Sequence, residues 1–152
     1  MKKDSSDLLL LDVNVMLALA WPNHQFHESA MRRLEVDGCK WATCALTELG
    51  FIRLSSNASV VGVSKSPAEV AKLLSRMVAD DKHAYLDLLP SPVSRQFLDF
   101  WKKILGSRQV TDIYLLALAR ANNATLVTFD TRIPAISDSS SVEVLSYTER
   151  QK

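Results

Sequence analysis

Four consecutive leucines, Leu8 to Leu11, run straight into Asp12, and an amide follows at Asn14. An unbroken apolar run of this length, followed at once by helical spacing, predicts a strand buried on both faces of a parallel sheet. Such a strand carries no polar group until it ends, so Asp12 marks the point where the chain leaves the core. Val15 to Ala20 continues as a short apolar helix, stopped by Trp21-Pro22-Asn23. A second helix is predicted from about His24 to a stop at Asp37-Gly38. Lys40 to Cys44 has the length of a second strand. Ala45 to Ser55 then places Leu46, Leu49 and Ile52 at helical spacing, which puts Glu48 in the first turn of a helix leaving a strand.

Asn57 to Lys65 has no helical period and is predicted as a loop. Ser66-Pro67-Ala68-Glu69 combines a capping Ser, a Pro at the first helical position and a Glu three after the cap; the helix it opens continues to Asp80. Ala84 to Leu89 is a strand ended by Pro90, and Ser91-Pro92 opens a helix that ends at Gly106. Thr111 is the expected cap of a further helix, with Asp112 in its first turn and Asn122-Asn123 at its end. Ala124 to Phe129 is a buried strand running into Asp130; Ser137 to Ser141 is a polar loop, and Val142 to Leu145 a last short strand. Strands alternating with helices predict a parallel α/β sandwich, and no repeat or composition shift divides residues 1–152 into more than one domain.

The bulk composition narrows the function classes only a little. Of 152 residues 47% are hydrophobic and 23% charged, which is globular rather than disordered. Eighteen basic against seventeen acidic residues leave a formal charge of +1, so any nucleic-acid site rests on local clustering. Cys39 and Cys44 match neither a zinc site nor a disulfide framework and read as small buried hydrophobes in a reducing cytoplasm. The apolar stretch near the N-terminus is broken by Asp12 and Asn14 and closed by Trp21-Pro22, which is short of a membrane span.

Candidate chemistry lies in four acids at the ends of elements. Asp12 and Asp130 end strands; Glu48 and Asp112 lie in first helical turns. In a parallel sheet those positions share one edge, where open α/β folds bind ligands. Each also has a structural explanation, because the helix dipole favours acids in a first turn and Asp before Thr131-Arg132 suits a turn. Asp12, set between apolar runs, is costly unless paired or bound to a metal. Convergence of several carboxylates calls for a cation, and an all-oxygen set suits Mg²⁺ or Mn²⁺ rather than zinc. The chemistry that follows is metal-assisted attack of water on a phosphodiester.

The LLLLDVN run, Thr47-Glu48-Leu49-Gly50-Phe51 with Arg53, VTDIYLLALA and LVTFD resemble the four acidic motifs of PIN-domain ribonucleases, above all the VapC-type toxins, over about Leu8 to Leu145. The resemblance implies a three-layer α/β/α sandwich with a mainly parallel central sheet. It further implies an Mg²⁺- or Mn²⁺-dependent endoribonuclease that cleaves single-stranded RNA to a 5′ phosphate and a 3′ hydroxyl. Asp12, Asp112 and Asp130 would then bind the metal, Glu48 would hold a bridging water or a second metal, and Asn14 and Thr111 would orient ligands and phosphate. A cognate antitoxin protein would fill the groove, and the toxin would form a homodimer. Val13 departs from the pattern, since many relatives carry a small hydroxyl residue there.

Other residues give weaker signals. His24, His27 and His83 pair with no Ser or Cys nucleophile, which argues against a Ser-His-Asp hydrolase. Arg53, Lys65, Arg76, Lys102, Lys103, Arg108 and Arg132 are candidates for gripping an RNA backbone, a few of them at most. Arg53 either flanks the crevice or partners an acid. Trp21, Trp41 and Trp101 suit core packing or partner contact better than base stacking, and the apolar residues of Ala45 to Leu54 suit an antitoxin groove or ordinary core. Two rival readings remain at this point: a haloacid-dehalogenase-like phosphatase with Asp12 as nucleophile, and a PIN-like interaction module without catalysis. Asn14 stands where the former requires a second acid.

Overall fold

The computed structural model describes residues 7–36, 39–102, 106–136 and 141–146. The expected stop at Gly38, most of the loop at 137–140 and Lys103 lie outside them, as does the side chain of Arg108. Five strands, β1 (Leu8–Leu11), β2 (Lys40–Cys44), β3 (His83–Leu86), β4 (Ala124–Thr128) and β5 (Val142–Val144), form one sheet in the order β3-β2-β1-β4-β5. Every neighbouring pair is parallel.

Alternate residues of the central strand feed two cores. Leu9 and Leu11 join α1 (Val13–Ala20), α2 (His27–Leu34), α3 (Ala45–Ser55) and α5 (Pro67–Met77) on one face, where Val15, Ala30, Phe51 and Val70 are fully buried. Leu10 packs on the other face with Leu115, Leu118 and Ala119 of α7 (Val110–Ala121). This two-sided burial is why β1 tolerates no polar residue before Asp12. The expected three-layer sandwich is the architecture found.

The chain visits β1, β2 and β3 outward in one direction, then returns to place β4 on the other side of β1. The crevice between β1 and β4, where this direction reverses, is the topological switch point at which open parallel sheets bind ligands.

Several boundaries differ from those expected. The predicted loop after Asn57 contains a single helical turn, α4 (Ala58–Val61), capped by the Asn57 side chain and ended by Gly62 at φ 76°; one turn has no period to read. The second helix starts at His27, because His24 and Phe26 are held in turns, with the Phe26 amide donating to His24 Nδ1 at 3.1 Å. The helix of the QFLDFW stretch, α6 (Arg95–Trp101), begins after a turn in which Ser94 donates to the Ser91 carbonyl. By contrast, the Ser66–Glu69 capping box is formed in both directions, at 2.9 and 3.2 Å. Arg33 of α2 forks onto Glu143 of β5 at 2.6 and 3.1 Å, tying a covering helix to the last strand.

The departure at Val13 has a packing counterpart. A Cβ placed on Gly50 of α3 would lie 2.8 Å from Val13 Cγ2, so the branched side chain occupies space that only a glycine leaves open. Gly→Ala inside a helix ordinarily gains up to about 1 kcal/mol, whereas overpacking costs about 1–3 kcal/mol. Gly50→Ala is therefore expected to lower the melting temperature, and Val13→Ala in the same chain to restore it. Stabilisation by Gly50→Ala alone would show that no such packing constraint exists.

Candidate active site

At the switch point one residue separates strand from helix. Asp12 follows β1, its amide still donating to the Val127 carbonyl at 2.9 Å, and its side chain caps α1 by accepting from the Val13 amide at 2.7 Å. The other carboxylate oxygen accepts from Thr128 Oγ1 of the adjoining strand at 2.8 Å. Asp12 is nearly buried and Thr128 completely so. Burial pushes the Asp12 carboxyl above its ordinary value against the two hydrogen bonds that lower it, and the neighbouring charge of Asp130 adds to the rise.

Asp112 enters the same crevice from the first turn of α7. Its carboxyl is pushed up to about 6, by burial first, then by the charges of Asp12 and Asp130, with Arg132 acting the other way. Asp130 lies two residues beyond β4 and is gripped by Arg132, whose Nε and Nη2 donate at 3.0 and 2.8 Å while its amide donates at 2.9 Å. That fork holds the Asp130 carboxyl below the ordinary range. Three of the four acids thus act on one another across the crevice.

Glu48 is not among the charges that act on Asp12 or Asp112. Its Oε1 accepts from Thr43 Oγ1 at 2.9 Å, and Thr43 in turn lies 2.8 Å from His83 Nε2. Asn14 is exposed in the first turn of α1. Thr111 is not the cap of α7: Gln109 precedes the helix, after a 3₁₀ turn at Ser107–Gln109, and Thr111 is its exposed second residue. The chain reaches α7 already turning, so no side-chain cap is needed there. Arg53 is exposed, and among the described residues it is joined to no acid in an ion pair. All three indole N–H groups bond within the chain, Trp21 to Ser55, Trp41 to Asp80 and Trp101 to the Pro92 carbonyl, in keeping with packing roles. His27 Nδ1 lies 2.6 Å from the Ala18 carbonyl and links two helices.

The donor chemistry of the aspartate group suits a hard divalent cation, being all oxygen, crowded and partly desolvated. The set is not closed, however: among the described residues no three His, Cys, Asp or Glu side chains stand at the spacing of a metal site. Thr128 and the Val13 amide satisfy Asp12, and Arg132 neutralises Asp130, so hydrogen bonds and one guanidinium offset the crowding here. Thr128 and Thr43 give no signal in the sequence, because cross-strand partners follow from register; His83 reads there only as a histidine without a nucleophile, and Arg132 only as a basic residue.

In α3 the buried face is Thr47, Phe51 and Ser55, while Leu46 and Leu49 are exposed, as are Val60 and Val63 just beyond. An apolar surface is therefore available beside the helix that carries Glu48. Among the described residues, no helix is long and apolar enough to cross a membrane.

Comparison with known proteins agrees with this architecture. The PIN domain profile matches residues 9–138. Ribonuclease VapC39 of Mycobacterium tuberculosis is 39% identical over 138 residues, covering 90% of this chain and 98% of that protein. Ribonuclease VapC38 of the same organism is 40% identical over 124 residues, covering 81% and 85%. In fold, the chain is similar to a chain of the Rickettsia felis VapBC2 crystal structure bound to a promoter DNA fragment, with a TM-score of 0.60 at 18% identity over 91% of this chain and 99% of that one. By profile, identity over nearly the full length and sheet topology alike, the chain belongs to the PIN-domain family, among its VapC-type members.

Proposed function

We propose that this protein is an endoribonuclease of the toxin type, cleaving single-stranded RNA with the help of Mg²⁺ or Mn²⁺ and silenced by a cognate antitoxin. The observation that carries the reading is the meeting of Asp12, Asp112 and Asp130 in one crevice, where burial first, and then the charges of Asp12 and Asp130, push the Asp112 carboxyl up to about 6. A cluster that costs stability in the free protein suits a site whose ligand is positive. Curated relatives named as ribonucleases support the nuclease chemistry, and membership of the PIN family removes the phosphatase alternative.

Asp12, Asp112 and Asp130 would hold the cation, which supplies an activated water and charge neutralisation at the scissile phosphate. Thr128 fixes the Asp12 carboxylate from its second oxygen, so that its orientation is set before any ligand arrives. Arg132, exposed and already bound to Asp130, is suited to exchange that carboxylate for an RNA phosphate. Asn14 and Thr111, both exposed on first helical turns at the same edge, are suited to hydrogen-bond the phosphate or its water. The exposed Leu46, Leu49, Val60 and Val63 fit an apolar antitoxin segment or the second copy of a homodimer.

The test is cleavage of a labelled single-stranded RNA by the wild type and by Asp12→Asn, each with Mg²⁺, with Mn²⁺ and with a chelator. Asp12→Asn should lose cleavage by at least about 100-fold while unfolding at a temperature close to that of the wild type. Cleavage at the wild-type rate by Asp12→Asn, or undiminished cleavage in the chelator, would overturn the assignment.

A further inference from the structure

We propose that His83 and Thr43 form a relay that positions Glu48 for catalysis, an inference that rests on the nuclease reading above. Thr43 is completely buried at the end of β2 and its hydroxyl stands between two partners: Glu48 Oε1 at 2.9 Å and His83 Nε2 at 2.8 Å. A hydroxyl carries one proton, and a carboxylate has none to give. With Glu48 ionised, Thr43 therefore donates to Glu48 and must accept from His83, which places the imidazole proton on Nε2. The direction of the whole chain, His83 to Thr43 to Glu48, is set by the charge at its end.

The relay is anchored beyond its last member. β2 and β3 pair in parallel with Trp41 opposite His83 and Thr43 opposite Tyr85, so His83 reaches Thr43 along the diagonal of one sheet face. The Trp41 ring meets the imidazole edge-on with centroids 4.6 Å apart. The Trp41 indole N–H is bound to Asp80 Oδ2 at 3.1 Å, and the His83 amide donates to the Asp80 carbonyl at 3.0 Å. His83 is thus held by ring packing, backbone and hydroxyl together, at a strand start where a free surface histidine would have had several rotamers.

The functional content lies in what this does to Glu48. A glutamate in the first turn of a helix is long and half-buried, and it has three side-chain torsions to fix. Thr43 fixes Oε1, and among the described residues Oε2 accepts no hydrogen bond. One oxygen is held by the protein and the other is left to the ligand, the arrangement by which outer partners orient a carboxylate for a metal or its water. His83 and Thr43 are accordingly positioning residues. They act through Glu48.

Thr43→Val keeps shape and removes the hydroxyl; Thr43→Ser keeps the hydroxyl. His83→Leu removes the ring donor, and His83→Gln carries an N–H at the position of Nε2. The relay requires kcat for RNA cleavage to fall about 10- to 100-fold in Thr43→Val and His83→Leu, with KM within about 2-fold of the wild type. It also requires Thr43→Ser and His83→Gln to recover most of that loss. Mn²⁺ affinity, read by calorimetric titration without any RNA, should weaken in the two disabling variants and recover in the two conservative ones. Should Thr43→Val fail to fold, His83→Leu and its Gln partner decide alone, since His83 lies at the edge of the sheet and is only half-buried. Glu48→Gln separates the two levels of inference. If it loses cleavage while Thr43→Val and His83→Leu keep the wild-type kcat, the relay is wrong and the nuclease reading stands. If it cleaves at the wild-type rate, Glu48 has no part in catalysis and both the relay and that part of the site assignment fall.

Discussion

Replacing Asp112 with Asn is expected to make the metal-free protein more stable and, at the same time, to abolish its cleavage of RNA. The two effects have one cause. Asp112 is held at about 6 in the folded chain against an ordinary value of 3.8, so at neutral pH its negative charge is borne at a cost. A shift of two units corresponds to about 3 kcal/mol for a fully shielded group; solvent screening at a half-buried carboxyl brings this to about 1–2 kcal/mol. Asp112→Asn should therefore raise the melting temperature at pH 7.5 in a chelator by about 3–6 °C. Between pH 4 and pH 6 the folded protein keeps a proton on Asp112 that the unfolded chain has released, so this group makes stability fall as pH rises through that window and level off above it. In Asp112→Asn that descent should be lost. Cleavage should drop by more than about 100-fold. A variant that is destabilised at pH 7.5, or that still cuts, would refute the idea that Asp112 is retained for its ligand and not for the fold.

Divalent ions should reverse the same cost. Mn²⁺ at about 100 times its Kd stabilises a protein by about 2.7 kcal/mol if only the folded state binds it, which for a chain of this size is a rise in melting temperature of about 5–10 °C. Because the cation must displace the Asp112 proton, the rise should be small at pH 5 and large at pH 7.5. Asp112→Asn should abolish most of it. The absence of any shift in saturating Mn²⁺ or Mg²⁺ at pH 7.5 would return the protein to the class of PIN-like modules that bind a partner without catalysis.

How much of this could be read from the chain alone depends on whether the deciding contact is local. β1, Asp12 as its terminus, β2 and α3 to the residue, and the Ser66–Glu69 box follow from apolar runs and short-range caps. The approach of Asp12, Asp112 and Asp130 was also legible, since parallel strands bring strand ends and helix starts to one edge. Side-chain partners were not. Thr128 meets Asp12 across 116 positions of sequence, and His83 meets Thr43 across 40; both need the register of the sheet. α3 shows a different failure. Its apolar residues do not fall on one face, so spacing leaves groove and core open for Leu46 and Leu49, whereas packing against α1 and α5 buries Thr47, Phe51 and Ser55. Glycine at position 50 has no reading at all until Val13 is seen opposite it.

The pairing of Leu8 with Ala124 and of Leu11 with Val127 has a consequence for how the molecule is born. A ribosome that has made the first hundred residues has produced β1, β2 and β3 but neither Asp112 nor Asp130, so the emerging polypeptide holds one of the three aspartates of the crevice. Only when the segment through Asp130 clears the exit tunnel can the second half of the sheet snap into place beside the first.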